Sequence, residues 1–246
     1  SVWTSNKPQT FKSPPDEIIE ALTASRIDRV HRVGKTIVVD LTRNKKATQF
    51  LIHLGMTGRL LVSTPDTPVP AHTHAILTLS SGKELRFIDA RRFGRLSVVA
   101  PDTKYKGPGA EPLTVPLEDF VALFRNRKTP IKAALLNQSL LHGVGNIYAD
   151  EALFHAGIRP TRHAGRLTRA ELTRLRAALI KVLSEAIRLG GSSVSDYVDA
   201  DGVAGFFQLH HHVYSRTGQP CRVCGAPIKR IVIGGRSTHY CPTCQK

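Results

Sequence analysis

CRVCGAPIKRIVIGGRSTHYCPTCQK, residues 221–246, decides how the C-terminal end of this chain folds. Cys221 and Cys224 form one Cys-x-x-Cys pair, Cys241 and Cys244 form a second, and sixteen residues separate the two. Each pair turns tightly enough to aim both sulfurs at one ion, and two such turns close a tetrahedral thiolate shell at the base of a hairpin. The spacing predicts one Zn2+ held by all four cysteines. That zinc is structural, because four protein ligands leave no open position for a substrate. Four buried or redox thiols are the plainer alternative, and they leave the spacing unexplained. Between the pairs, Gly234-Gly235 reads as the hairpin turn and puts Arg236 at or near the tip. A guanidinium on a rigid tip suits bidentate phosphate contact; a solvated surface arginine is the competing reading. A chain of 246 residues buries a core without a metal. The staple is therefore expected to hold something in place rather than to hold the protein together.

Composition narrows the partner. Thirty-five Lys and Arg against nineteen Asp and Glu give a formal charge of +16, and the pI is near 10.2. Solubility or an arginine-rich coding habit could produce such a balance. A polyanion partner accounts for it better, since each neutralised phosphate releases a counterion. No apolar run reaches the length of a membrane span, and no secretory signal is visible. All four cysteines fall in the last twenty-six residues, a distribution that fits a reducing compartment and bound zinc rather than a secreted disulfide scaffold.

Outward from the ribbon, the hydrophobic period changes once. Residues 35–41, 49–63, 74–89 and 94–100 are short β-branched-rich runs with alternation, and Ser81-Gly82 is a plausible hairpin turn. A helix is predicted over 15–25, opened by Pro14-Pro15 and by Asp16 and Glu17. Many strands and few helices suggest a sandwich or a barrel. The proline-rich stretch 101–117 reads as a linker. Beyond it, residues 117–127, 130–141, 145–157 and 168–190 carry apolar positions at helical spacing. Thr168 and Glu171 form a capping box for the last of these, and Gly190-Gly191 stops it. Residues 191–208 have no period and read as a long functional loop. His142-Gly143-Val144-Gly145 joins two helices by a turn that exposes backbone amides at a helix N-terminus, a geometry that binds phosphate, with Asn146 placed to add a hydrogen bond. An ordinary helix–helix connection is the alternative.

Four stretches together resemble one family. GVGNIYADEALFHAGIRP (143–160), HLGMTGRL (53–60), IDARRFGRL (88–96) and GRSTHYCPTCQK (235–246) are similar to motifs of the formamidopyrimidine-DNA glycosylase and endonuclease VIII family. The likeness runs from about residue 10 to the end. It implies an α+β protein: an N-terminal β-sandwich over 1–108, a linker at 109–116, a helix–two-turn–helix domain over 117–214 and a zinc ribbon over 215–246. Duplex DNA lies between the lobes in that family. Residues 191–208 would cap the extruded base, and their sequence resembles the formamidopyrimidine branch. That branch implies a base-excision glycosylase and AP lyase acting on 8-oxoguanine and formamidopyrimidines, as a monomer bound to damaged DNA in the bacterial cytoplasm, associated with the nucleoid.

The resemblance also implies roles. Lys35 would contact lesion-side phosphate and assist catalysis, and Arg236 would grip the phosphates flanking the everted nucleotide. His72, Arg91, Arg127, Lys132, Gly145 and Asn146 match DNA-contacting positions. Met56 would fill the gap left by the flipped base, with Arg91 facing the orphaned cytosine and Phe93 wedging the stack. Core packing is the plainer reading of Met56 and Phe93; Gly55 and Gly58 on either side of Met56 favour an exposed loop tip there. The family's N-terminal Pro-Glu, whose amine attacks the sugar and forms a Schiff base, does not occur in this sequence. SVWTSNKPQTFK resembles the end of the family's first strand. Three readings follow: a sequence that begins late, a protein that binds damage without cutting, or a substitute amine such as that of Ser1 or Lys35.

Overall fold

Short strands of alternating apolar residues pair into two antiparallel sheets. β1 (Val2–Thr4), β5 (Arg59–Ser63), β6 (Thr73–Thr78) and β7 (Glu84–Ile88) form one, in the order β1-β6-β7-β5. β2 (Arg26–Val33), β3 (Thr36–Arg43), β4 (Lys46–His53) and β8 (Arg95–Val98) form the other, in chain order. This is a computed structural model, and it describes residues 1–192 and 198–246. The inward positions of both sheets (Val39, Leu41, Phe50, Ile52, Leu77, Phe87, Leu96) share one apolar cluster with Ile18 and Leu22 of α1 (Pro15–Leu22). Each such side chain contributes about 1.5–3 kcal/mol on burial. Two sheets packed over one core make a sandwich, which settles the choice between sandwich and barrel.

Several expected boundaries moved. The run 49–63 splits into β4 and β5 around the Met56 loop, while 74–89 turns at Ser81-Gly82 as predicted, where the Leu79 amide donates to the Lys83 carbonyl at 2.8 Å. β1 lies where the opening residues resemble the end of a first strand, but β2 was not predicted. β2 reads RIDRVHRV, with charges on both faces and most residues exposed, so it has no apolar alternation to find. It is an edge strand whose arginines discourage pairing with another chain.

The second unit is helical. α2 (Leu117–Phe124), α3 (Ile131–Leu136), α4 (Asn146–Ala156) and α5 (Arg169–Arg188) bury Phe120, Phe124, Leu135, Leu153, Leu175 and Leu179 together. α3 is shorter than the predicted 130–141. Asn137 leaves the helix, and its side-chain oxygen accepts the Ser139 amide in a local turn. The ribbon strands β9 (Lys229–Ile233) and β10 (Arg236–Tyr240) pair in register, Ile233 opposite Arg236.

The two units comprise Ser1–Lys106 with Gly190–Gly205, and Gly107–Leu189 with Phe206–Lys246. The ribbon belongs to the helical unit, and most of the 191–208 loop belongs with the sandwich, where the Val62 amide donates to the Ala200 carbonyl at 2.9 Å. Residues 193–197 of that loop lie outside the described residues. Among the described residues no helix is long and apolar enough to cross a membrane.

The capping box forms as predicted: Thr168 accepts from the Glu171 amide, and the Glu171 carboxylate accepts from the Thr168 amide and from Arg162. The Arg162 hydrogen bond comes first among the causes that hold Glu171 down at about 2, from an ordinary 4.5. A depressed carboxylate adds stability that is complete above its unfolded value and disappears as pH falls through the folded one. Glu171→Gln is therefore expected to be less stable than the parent by about 1 kcal/mol at pH 7, with a gap that narrows as pH falls from 5 to 3. Urea midpoints at each pH measure it; a gap independent of pH would refute the assignment.

Candidate nucleic-acid interface

Strand register gathers one set of expected residues at a single end of the sandwich. Thr36 opposes His53, and His53 opposes Arg95. In the other sheet Ile88 opposes both Arg59 and Thr73. The connections leaving these pairs carry Lys35, Met56, His72, Arg91 and Phe93. Met56 is 59 % exposed and Phe93 48 % exposed, so neither belongs to the core. The Arg91 guanidinium lies over the Phe93 ring at 4.7 Å, a stacking worth about 0.5–1 kcal/mol at an exposed site. His72 takes a left-handed backbone, φ 64°, and its carbonyl accepts the Asp89 amide at 3.0 Å.

Asp89, which the sequence reading passed over, frames this end. It is fully buried. Oδ1 accepts from the Thr57 hydroxyl and, at 3.3 Å, from the Arg91 amide; Oδ2 accepts the Gly94 amide at 2.7 Å. One carboxylate therefore ties the Met56 loop to the Arg91–Phe93 loop. Gly55 completes the tie. Its φ is +68°, and a Cβ there would lie 2.7 Å from the Phe93 carbonyl carbon and the Gly94 amide nitrogen. Only glycine permits that conformation and that approach of the two backbones. An acid amid the basic run IDARRFGRL is the sequence signal that could have marked it.

The same end is strongly cationic. Burial first, then the charges of Lys35, Arg95 and Lys12, push His53 below the usual histidine range. Three cations close enough to oppose a fourth make a site that an anion would relieve.

In the helical unit, Gly145 caps α4 with extended backbone and brings no side-chain oxygen to the first-turn amides. An anion-binding helix terminus has this form. The Asn146 side chain donates to the Ser237 carbonyl at 3.0 Å, so it is tied to the ribbon hairpin rather than projecting freely. Lys132, expected to touch DNA, is completely buried. Its ammonium pairs with Asp150 at 2.6 Å and donates to the Ser237 carbonyl at 2.7 Å. The Asp150 carboxylate also accepts the His239 amide at 2.9 Å. That correction has a physical cause: β10 docks on α3 and α4 through this buried pair, which leaves Lys132 no path to solvent. The outcome of the docking is the position of Arg236, exposed directly after the Gly234-Gly235 turn, whose φ values are 56° and 72°. Arg127 is exposed beyond α2 and donates through Nε to the Leu123 carbonyl at 2.5 Å.

The four cysteines meet. Cys221 and Cys244 sulfurs are 3.9 Å apart, Cys224 and Cys241 are 3.4 Å apart, and all four lie within 4.8 Å of one another. Tetrahedral Zn–S bonds of about 2.3 Å require sulfur separations of about 3.8 Å. The Val223 and Cys244 amides donate to Cys221 and Cys241 sulfurs at 3.4 Å each, as thiolate knuckles require. The donor set fits one structural zinc.

Comparison with known proteins agrees with the geometry throughout the chain. The model for the formamidopyrimidine-DNA glycosylase N-terminal domain matches residues 1–96, that for its H2TH domain matches 107–198, and that for a zinc finger found in FPG and IleRS matches 218–246. The formamidopyrimidine-DNA glycosylase of Solibacter usitatus is 46 % identical over 233 residues, covering 94 % of this chain and 86 % of that protein. The one from Thioalkalivibrio sulfidiphilus is 46 % identical over 244 residues, with the same coverage. Among solved structures, the MutM (Fpg) protein from Thermus thermophilus superposes with TM-score 0.86 at 40 % identity, covering all of this chain and 90 % of that one. A Lactococcus lactis FPG mutant in complex with Fapy-dG-containing DNA gives TM-score 0.89 at 30 % identity, covering 100 % and 91 %. By domain content, identity and coverage, this chain belongs to the formamidopyrimidine-DNA glycosylase family.

Proposed function

We infer that the protein is a base-excision-repair glycosylase that flips oxidised purines out of duplex DNA and cleaves them from the sugar. The observation that carries this reading is the pair of exposed apolar side chains, Met56 and Phe93, on loops locked together by the buried Asp89. Exposed apolar groups on a rigid cationic frame suit insertion between base steps, the wedge by which proteins unstack and bend a duplex. Residues 1–246 carry the holding half of that chemistry. Lys35 and the cations around His53 meet phosphate, Met56 fills the vacated space, and Arg91 faces the unpaired partner base. The α4 amides and Arg236 grip the backbone. The Pro-Glu pair that the family uses for attack on the sugar is not among these residues. Met56, Arg91 and Phe93 therefore act on the equilibrium of base extrusion, and Asp89 acts as a positioning residue for all three.

Borohydride trapping tests the reaction. Protein expressed from its gene, incubated with a duplex carrying one 8-oxoguanine opposite cytosine, is expected to give a covalent adduct and a nicked strand. Lesion-preferring binding with neither adduct nor nick would sink the enzyme reading in favour of a damage-binding protein. Met56→Ala and Asp89→Asn are both expected to lower nicking about ten- to a hundredfold while sparing affinity for undamaged duplex. A fluorescent base analogue at the lesion should report less extrusion in each; full extrusion in Asp89→Asn would refute its positioning role.

A further inference from the structure

A second cluster of ligands lies on α4, away from the four cysteines. Glu151 and His155 stand four residues apart on one helical face, and His212 arrives from the segment leading into the ribbon. One ligand atom from each lies within 4.8 Å of the others. Glu151 is buried and is already well used. Oε1 accepts the Val213 and Tyr214 amides at 3.0 and 2.8 Å, and Oε2 accepts the His212 amide at 2.8 Å. A carboxylate offers about four lone-pair sites, so one remains, on Oε2. Burial alone would raise its pKa, but the adjacent His212 ring and the Tyr214, His212 and Val213 amides prevail and hold it below the usual carboxylate range.

The remaining geometry is that of a pair waiting for an ion. His212 Nδ1 is a buried ring nitrogen that makes no close hydrogen bond; its nearest charged neighbour is Glu151 Oε2, at 3.5 Å. That is long for a hydrogen bond to a carboxylate. It matches the separation of about 3.4 Å between two ligands of one tetrahedral ion with bonds near 2.1 Å. The His155 ring stands beside His212, centroids 4.6 Å apart and 69° between planes, and His155 is exposed. Phe154 stacks on His212 at 5.3 Å and fixes its plane.

We propose that Glu151, His155 and His212 form a second metal site, an exchangeable one for a borderline divalent ion such as zinc, with water completing the shell. Two imidazoles and one carboxylate select Zn2+, Co2+ or Ni2+ over Mg2+ or Ca2+, which take oxygen ligands. The ion would pin the lead-in segment of the ribbon to α4. Phe154 lies in one apolar cluster with Cys221 and Cys241, so the second site shares a wall with the structural one.

Cobalt separates the two sites by colour. Co2+ titrated into tag-free protein whose ribbon already holds zinc is expected to add one equivalent with visible d–d bands and no near-ultraviolet thiolate charge-transfer band. His155→Ala, a surface change on a helix, should weaken that equivalent at least about tenfold while keeping one zinc per chain and an unaltered circular dichroism spectrum. His212→Ala should do the same. No second equivalent, a second equivalent showing thiolate charge transfer, or binding unchanged in His155→Ala would each overturn the proposal.

Discussion

Asp150→Ala is expected to cost about 3–5 kcal/mol of stability, the usual penalty for removing one member of a buried ion pair. The loss comes less from the missing attraction than from what stays behind. Lys132 would keep a fully buried ammonium with only the Ser237 carbonyl to face, and the His239 amide would lose its acceptor. Burial already pulls Lys132 below the ordinary lysine value of 10.5, with Asp150 opposing that pull and Arg236 adding to it. Without Asp150 the pull is unopposed. A lysine depressed in the folded state binds fewer protons there than when unfolded, so stability rises with pH between the two values. The deficit of Asp150→Ala should therefore shrink as pH climbs from 7 toward 10, which urea midpoints at several pH values would show. Removing both partners, as Lys132→Met with Asp150→Leu, should restore much of the loss, since no charge is then stranded. A single variant within 1 kcal/mol of the parent would mean the pair is solvated in solution, and β10 would need another anchor.

How much of this was legible in the sequence depends on how local each signal is. The ribbon was, because its four ligands sit in two four-residue motifs and one ion explains both. So was α5, whose Thr168 and Glu171 lie within one turn of each other, and so was the exposure of Met56, flagged by Gly55 and Gly58. The Lys132–Asp150 pair was not. Lys132 stands in the first turn of IKAALL and looks like a surface cation, and Asp150 shares NIYADEALF with apolar neighbours. Only β10, about a hundred residues later, reveals that both are buried. Asp89 was missed for a similar reason: its partners Thr57 and Gly94 come from two different loops, and their meeting is a fact of register. β2 was missed because an edge strand charged on both faces carries no period.

Stripping the zinc should open the hairpin while the rest of the chain stays folded, and it should lower duplex affinity about ten- to a hundredfold. Apart from the docking of β10 through the buried Lys132–Asp150 pair, the ribbon has only a small core of its own. Its apolar cluster is Phe154, Val213, Cys221, Ile228 and Cys241, two of them ligands, whereas structural zinc contributes about 10–16 kcal/mol in isolated finger peptides. The sandwich core and the α2–α5 core contain no cysteine, so neither depends on the ion. The affinity loss follows from Arg236. A charge-assisted bond to phosphate contributes about 1.5–3 kcal/mol, and it requires a tip held at a fixed angle by the Gly234-Gly235 turn above a closed metal base. Hydrogen exchange after chelation is expected to show lost protection in β9 and β10 with protection retained in β3, β4 and α5. Arg236→Ala in zinc-loaded protein should reproduce the weaker binding with the hairpin still protected, and the slope of log affinity against log salt should fall by about 0.9 for each phosphate released. If the ion acts on DNA through the arginine, chelating that variant should then weaken binding no further. An open hairpin that binds duplex as tightly as before would remove Arg236 from the interface and leave the metal a purely structural part.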